Sequence, residues 1–151
     1  MATIEDVLKN FESVQLEEAI PRIVRSLSAE LIDYNLDQLA HGITSENVLI
    51  QPRYRSRDYA GYKNTLNPKA GFGVPDLKLA GDFYAGFYVQ LNGMTFEFGS
   101  RDSKSALLEG KYSKNGGIYG LTDNNKSNFA QNEVKPEIIK HLQNKTGLPK
   151  K

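Results

Sequence analysis

The chain has 151 residues, of which 39% are hydrophobic and 25% charged, and its formal net charge at pH 7 is +1. This is the length of one ordinary globular domain, and no apolar run approaches the roughly 18 residues of a membrane-spanning helix, so we expect no membrane partner. The absence of cysteine excludes disulfide frameworks, thiolate zinc sites, iron–sulfur clusters and cysteine nucleophiles. Because the chain has only two histidines, we expect no histidine-based metal site or catalytic triad.

The small net charge hides an asymmetry along the chain. Residues 1–50 carry three basic and nine acidic side chains, whereas residues 51–151 carry 16 basic and nine acidic ones. A separation of this kind can orient a subunit against a neighbour of opposite sign or against a polyanion.

The first third of the sequence predicts two amphipathic helices. The first has an apolar stripe at helical spacing made of Ile4, Val7, Leu8, Phe11 and Val14. A second such pattern covers residues 20–39, with Pro21 near its start, where a missing N–H is tolerated. His41 and Gly42 predict the last turn of this helix and the residue that ends it.

Residues 43–75 predict an extended loop or arm. Prolines at positions 52, 68 and 75 and glycines at 61, 71 and 73 interrupt any regular pattern there. A segment of this length without secondary structure is uncommon in a compact domain and usually serves a function or a partner.

This segment contains the predicted partner-binding residues, which are Arg53, Tyr54, Arg55, Arg57, Tyr59, Tyr62 and Lys63. Tyrosine and arginine are enriched at protein interfaces, where they supply contact area and charge-assisted hydrogen bonds. The same composition suits nucleic acid, because arginine neutralises phosphates and tyrosine stacks on bases. We favour a protein partner because no known nucleic-acid-binding motif accompanies the stretch, and we keep DNA or RNA as the alternative.

The clearest local pattern is a β-hairpin over residues 83–98. Apolar residues alternate at positions 83, 85, 87, 89 and 91, and again at 94, 96 and 98. Between the two runs, Asn92-Gly93 has the residues that a tight hairpin turn prefers. A short helix around residues 104–109 follows, and a final helix starts at Thr122 and is interrupted at Pro136.

These elements predict a single α+β domain over residues 1–151, with helices at both ends packed on a small antiparallel sheet centred on the hairpin. Its parts are a helical region 1–42, the arm 43–75, and the hairpin with the C-terminal helix over 76–147. The predicted core comprises Phe11, Ile23, Leu27, Leu31, Phe83, Phe87, Val89, Phe96, Phe98, Ile138 and Leu142.

The sequence contains no motif for covalent or metal chemistry. Walker-type loops, dinucleotide fingerprints and nucleophile elbows are absent. Asp76, Asp82, Glu97 and Lys111 suggest a magnesium-dependent nuclease, but Phe98 and Gly99 follow Glu97 and break the Glu-x-Lys spacing. We therefore expect no catalytic residue, no metal and no cofactor, and we expect both histidines to be structural or solvated.

The order of parts in the second half resembles a known family. The segments concerned are residues 75–84 (PDLKLAGDFY), 100–104 (SRDSK) and 118–122 (IYGLT). Together they resemble the small tail-completion, neck or minor tail proteins of tailed bacteriophages and prophages, over roughly residues 75–145. That family commonly has Pro-x-x-Thr-Gly-x-Leu before its central hairpin, whereas here the stretch is longer and residues 80–83 read AGDF.

The resemblance implies a virion structural protein and not an enzyme. Such proteins form homo-oligomeric rings that join the head connector to the tail, so the implied partners are further copies, connector or portal-side proteins and tail-tube proteins. DNA passes through the lumen of such a ring, and assembly takes place in the cytoplasm of the bacterial host. The alternative is a nucleic-acid-binding accessory protein that uses residues 53–63.

The charge pattern is compatible with ring assembly. A ring needs a heterologous interface, in which one surface of each subunit meets a different surface of the next. The acidic N-terminal helical face and the basic downstream half are candidate surfaces, and the arm is expected to become ordered on contact with a neighbour.

Overall fold

The computed structural model describes residues 16–78, 81–92, 95–113 and 116–146. The predicted first helix around residues 4–14, the core residue Phe11 and the turn residue Gly93 lie outside these ranges. In the described part of the chain, helices lie on both sides of a two-stranded antiparallel sheet, which confirms the α+β class.

The elements follow the chain in one series and are numbered here in that order. They are α1 (Leu16–Ser26), α2 (Ser28–Ala40), α3 (Arg57–Leu66), a 3-10 turn (Pro68–Ala70), α4 (Asp82–Ala85), β1 (Phe87–Asn92), β2 (Thr95–Ser100), α5 (Ser105–Tyr112), α6 (Asp123–Phe129), a π-helical turn (Ala130–Val134) and α7 (Lys135–Thr146).

The apolar pattern over residues 20–39 forms two helices instead of one. They are separated at Leu27, where the hydroxyl of Ser26 donates to the backbone carbonyl three residues before it at 2.6 Å. Such local bonds compete with the helical ladder and favour a helix end. Because α1 includes residue 16, Pro21 lies inside this helix and not in its first turn.

Helix α2 ends as predicted. Gly42 has a φ of +69°, and its N–H donates to the carbonyl of Leu39 at 2.8 Å. A Cβ at this position would stand 2.4 Å from Cγ1 of Val74, so glycine is required by both backbone and packing. His41 Nδ1 donates to the carbonyl of Asp37 at 2.8 Å, which confirms its predicted role in the last turn.

The prediction of an extended loop over 43–75 is wrong for residues 57–66, which form helix α3. Ser56 begins the helix, because its hydroxyl accepts a hydrogen bond from the N–H of Tyr59 at 3.2 Å. The sequence shows no apolar helical periodicity here, because the buried residues of α3 are Ala60 and Lys63 and not large apolar side chains.

The hairpin is confirmed, with different bounds. Strands β1 and β2 pair antiparallel, with Phe87 opposite Ser100 and Val89 opposite Phe98. Its predicted first residues instead form the one-turn helix α4, which follows Gly81 at a φ of +89°. Phe83 on α4 is still buried, so the alternation located a core residue without locating the strand.

The C-terminal helical region is interrupted as predicted. The hydroxyl of Thr122 accepts a hydrogen bond from the N–H of Asn125 at 3.1 Å and thereby caps α6. The π-helical turn then precedes Pro136, the second residue of α7. Because proline lacks the N–H that an α-helical bond requires, a local shift of hydrogen-bond register at this point is expected.

The buried core contains Leu31, Phe83 and Phe87 from the predicted set. The other predicted core residues within the described ranges are half-buried: Ile23, Leu27, Val89, Phe96, Phe98, Ile138 and Leu142. The buried apolar residues that the prediction missed include Leu39, Ile50, Leu77, Tyr112, Ile118, Leu121 and Phe129. Helix α2 and the irregular segments therefore contribute more to the core than the sequence patterns indicate.

Two buried amides of α2 hold the segment that leads into α6. Asn35 Oδ1 accepts the N–H of Gly120 at 2.8 Å. Gln38 Nε2 donates to the Gly120 carbonyl at 2.9 Å, and its Oε1 accepts the N–H of Thr122 at 2.9 Å. These bonds satisfy backbone groups that would otherwise be buried without a partner, so they fix the position of this segment.

Candidate partner-binding surface

Helix α3 presents an apolar ridge to solvent. Tyr59, Tyr62 and Leu66 follow helical spacing on one face, and Phe72 lies beside Gly61, with its Cε2 3.8 Å from where a Cβ would stand. The exposed fractions of the four large side chains are between 37% and 55%. We call Tyr59, Tyr62, Leu66 and Phe72 the α3 ridge.

Four exposed basic residues lie close to the α3 ridge along the chain, and we call them its basic rim. Arg53, Arg55, Arg57 and Lys69 are all exposed, and Asp58 is the acidic residue among them. In the part of the chain that the structure describes, none of these arginines forms an ion pair. Residues 53–72 therefore combine exposed apolar area and exposed guanidinium groups in one stretch of the chain.

The structure places the seven predicted partner-binding residues in three environments. Five of them are exposed, namely Arg53, Arg55, Arg57, Tyr59 and Tyr62. Tyr54 is half-buried, with its ring 5.0 Å from that of Tyr59 in an edge-to-face arrangement. Burial, and then the charge of Asp76, raise the pKa of Tyr54 above its usual range, so this phenol stays neutral.

Lys63 does not belong to the surface, which corrects the prediction. Its side chain is 5% exposed, and its Nζ lies 2.8 Å from Oδ1 of Asp76, whose side chain is 4% exposed. The ammonium also donates to the backbone carbonyl of Lys78. Its charge is thus neutralised inside the protein and is not available to a partner.

Asp76 joins α3 to the rest of the fold. Asn67 Nδ2 donates to Oδ2 of Asp76 at 2.9 Å and to the carbonyl of Ala40 at 2.7 Å. The N–H of Lys78 donates to Oδ1 of Asp76 at 3.0 Å, and the Tyr84 hydroxyl donates to the Asp76 carbonyl at 2.5 Å. The base of α3 is therefore held to α2 and to the segment before α4.

A second surface feature is a groove of about 660 Å³ between residues 45–47, β2, α5 and the start of α6. Its described apolar and aromatic lining residues are Phe96, Phe98, Tyr119 and Leu121. Its charged lining residues are Glu46, Glu97, Glu109, Asp123 and Lys126. We call this feature the acidic groove.

The surroundings of Tyr119 in the acidic groove change the pKa of its phenol. Burial, followed by the negative charge of Glu109, raises its pKa to about 12. An anionic phenolate would be poorly solvated there and repelled by the carboxylate. The phenol of Tyr119 is therefore neutral at pH 7, among the acidic residues that line the groove.

The carboxylates weighed as nuclease ligands are not brought together. Asp76 is in the buried ion pair, Asp82 begins α4 and Glu97 lies in the acidic groove. Across the described ranges no group of three or more histidine, aspartate or glutamate side chains is arranged to hold a metal ion. None of the helices in these ranges combines the length and the apolar character that crossing a bilayer requires.

Sequence reasoning missed Leu66, Phe72 and all of the acidic groove as surface features. The spacing of Tyr59, Tyr62 and Leu66 is a signal that was present, because it matches one face of a helix. Comparison with protein-family models, curated proteins and solved structures finds no match to this chain. The resemblance to tail-completion proteins therefore stays a prediction from short segments of sequence.

Proposed function

We propose that this chain is a non-catalytic assembly protein that works by binding other proteins through the α3 ridge and its basic rim. The observation that carries the proposal is the grouping of four large, exposed apolar side chains beside exposed arginines. Exposed apolar patches rimmed by polar residues mark interaction sites in soluble proteins, and tyrosine and arginine are over-represented among residues that dominate binding energy.

The support beneath the α3 ridge favours the same function. Lys63, Asn67 and Asp76 form a buried polar network that ties the helix to neighbouring segments. A surface that is already held in one conformation loses less conformational entropy when it binds. A rigid ridge is therefore suited to a partner of fixed shape.

The sequence resemblance supplies the specific form of the proposal. We propose a subunit of the neck of a tailed phage or prophage virion, which joins the head connector to the tail as part of a homo-oligomeric ring. Its partners are then other copies of the chain, connector or portal-side proteins and tail-tube proteins, with DNA passing through the lumen. The support is the set of segments between residues 75 and 145 together with the interaction surface on α3.

Nucleic acid is the alternative partner, and the exposed arginines at positions 53, 55 and 57 favour it. Two observations favour protein instead. Lys63, one of the cations in this stretch, is buried and neutralised, and the ridge continues into Leu66 and Phe72, which offer nothing to a phosphate backbone. A steep loss of duplex DNA binding with rising salt would support the nucleic-acid alternative.

A head–tail joining assay tests the proposal. An extract of infected cells that lacks this chain supplies unjoined heads and tails, and added purified chain is expected to restore infectious particles. The variant Tyr62→Asp/Leu66→Asp is expected to restore none, because it places charge in the centre of the α3 ridge. Leu107→Asp is the matched control, since Leu107 is 72% exposed and lies outside the ridge on α5.

Two results would contradict the proposal. If the wild-type chain fails to restore joining, the neck function is wrong. If the Tyr62→Asp/Leu66→Asp variant restores joining as well as Leu107→Asp does, the ridge is not the binding surface.

A further inference from the structure

We infer that the acidic groove of one copy of this chain receives the α3 ridge and basic rim of a second copy. This inference rests on the proposed assembly function and names both the partner and the surface that the partner offers. It was not evident from the sequence, because the groove is built from segments that are far apart along the chain.

The two surfaces are complementary in charge. Among the described residues, four acidic ones, Glu46, Glu97, Glu109 and Asp123, line the groove, and Lys126 is the basic one. The rim of the ridge offers four exposed cations, Arg53, Arg55, Arg57 and Lys69, against the single carboxylate of Asp58. Opposite potentials of this kind accelerate encounter and fix orientation, and arginine binds carboxylates in bidentate geometry.

The two surfaces also match in shape and in polarity. The ridge is a helix face on which Tyr62 and Leu66 are exposed, whereas the groove is concave and has Phe96 and Phe98 in its lining. Docking would place apolar side chains at the centre and the charged residues at the periphery. This is the usual anatomy of a specific interface, with a hydrophobic core and a polar rim.

The contact is heterologous, because the ridge with its rim and the groove share no residue. Each copy that has filled its groove still presents its own ridge, so further copies can add head to tail. Such a contact gives a closed ring when the rotation between copies closes, and a filament when it does not.

Charge-reversed variants of the full chain test the inference by sedimentation velocity. The ridge variant is Arg55→Glu/Arg57→Glu, the groove variant is Glu97→Lys/Glu109→Lys, and Lys135→Glu is the control outside both surfaces; circular dichroism checks that each is folded. The wild type and the control are expected to self-associate, more weakly as salt rises. The ridge and groove variants are each expected to have a dissociation constant raised by more than about tenfold.

Mixing the two defective variants gives the sharper test. The ridge variant keeps an intact groove and the groove variant keeps an intact ridge, so the wild-type contact can form between them, and their two reversed surfaces are again opposite in charge. We expect the mixture to self-associate more strongly than either variant alone. A mixture that associates no better than the separate variants, or wild-type self-association in the groove variant, would overturn the inference.

The outcomes separate this inference from the proposed function. A wild-type chain that stays monomeric while it still restores head–tail joining would overturn the self-contact and leave the assembly function standing. If the chain self-associates in the predicted pattern but fails to restore head–tail joining, the self-contact stands and the proposed neck function is wrong.

Discussion

The buried ion pair between Lys63 and Asp76 lends itself to a quantitative test of how α3 is held. Lys63→Met removes the cation and leaves a carboxylate that still accepts hydrogen bonds from Asn67 and from the N–H of Lys78. Asp76→Asn removes the anion and leaves a buried ammonium that keeps the carbonyl of Lys78 as an acceptor. The second change is therefore expected to destabilise the protein more than the first.

The magnitude follows from the burial of both partners, which are 5% and 4% exposed as side chains. Removing one member of such a pair costs about 3–5 kcal/mol, because the other charge remains buried and uncompensated. We expect about 3 kcal/mol for Lys63→Met and about 5 kcal/mol for Asp76→Asn, out of the roughly 5–15 kcal/mol by which domains are stable. The double variant has no buried charge, so it is expected to be more stable than Asp76→Asn alone.

Urea denaturation followed by circular dichroism measures these free energies of unfolding. Lys78→Met is the matched control, because Lys78 is exposed and its ammonium lies 5.4 Å from the ring centre of Tyr84 without entering the pair. It is expected to change stability by less than about 1 kcal/mol. Additive effects in the double variant, or single losses no larger than the control, would refute the electrostatic account of how α3 is anchored.

Three further predictions concern other parts of the fold. Gln38→Leu removes the acceptor for the N–H of Thr122 and is expected to lower the free energy of unfolding by about 2–4 kcal/mol in urea denaturation. Gly42→Ala places a Cβ 2.4 Å from Val74 at a positive φ and is expected to cost about 2–4 kcal/mol in the same assay. The pKa of the Tyr119 phenol is raised to about 12 in the folded chain, whereas it is about 10 in the unfolded chain. The stability that this pKa difference contributes is therefore present below pH 10 and is lost as the pH rises through about 12. Ultraviolet absorbance and unfolding measured against pH, with Tyr119→Phe for comparison, check this order.

Each of these predictions has a control. Gln131→Leu replaces an exposed glutamine and is expected to leave the free energy of unfolding nearly unchanged. If Gln38→Leu lowers the free energy of unfolding no more than Gln131→Leu does, the hydrogen bonds of Gln38 do not have the role described above. Gly71 has a φ of +91° and no heavy atom within 4 Å of where a Cβ would stand, so Gly71→Ala isolates the backbone cost from the clash at Gly42. A Tyr119 phenol that ionises near pH 10 would show that the groove is neither apolar nor negative enough to affect it.

The parts of the fold that were predictable are those in which large apolar residues face inward at a regular period. The hairpin satisfies this condition, because Phe87 and Val89 pair across to residues on β2. Helix α3 has the opposite arrangement, because its large side chains, such as Tyr62 and Leu66, are exposed while Lys63 is buried. Because α3 has no buried apolar stripe, the sequence pattern predicts a loop there, although Tyr59 and Tyr62 still indicate a contact surface.

The candidate site was predictable only where it is local in sequence. Five of the seven predicted partner-binding residues are exposed as expected. The burial of Lys63 depends on its ion pair with Asp76, which lies 13 positions further along the chain and is brought to it by the tertiary structure. The acidic groove shows the same dependence more strongly, since Glu46 alone among the four described acidic residues of its lining comes from residues 1–50. The other three come from the half of the chain with the basic excess. Charge summed along the sequence therefore assigned negative surface to the first third, whereas folding concentrates carboxylates from both halves around one concave site.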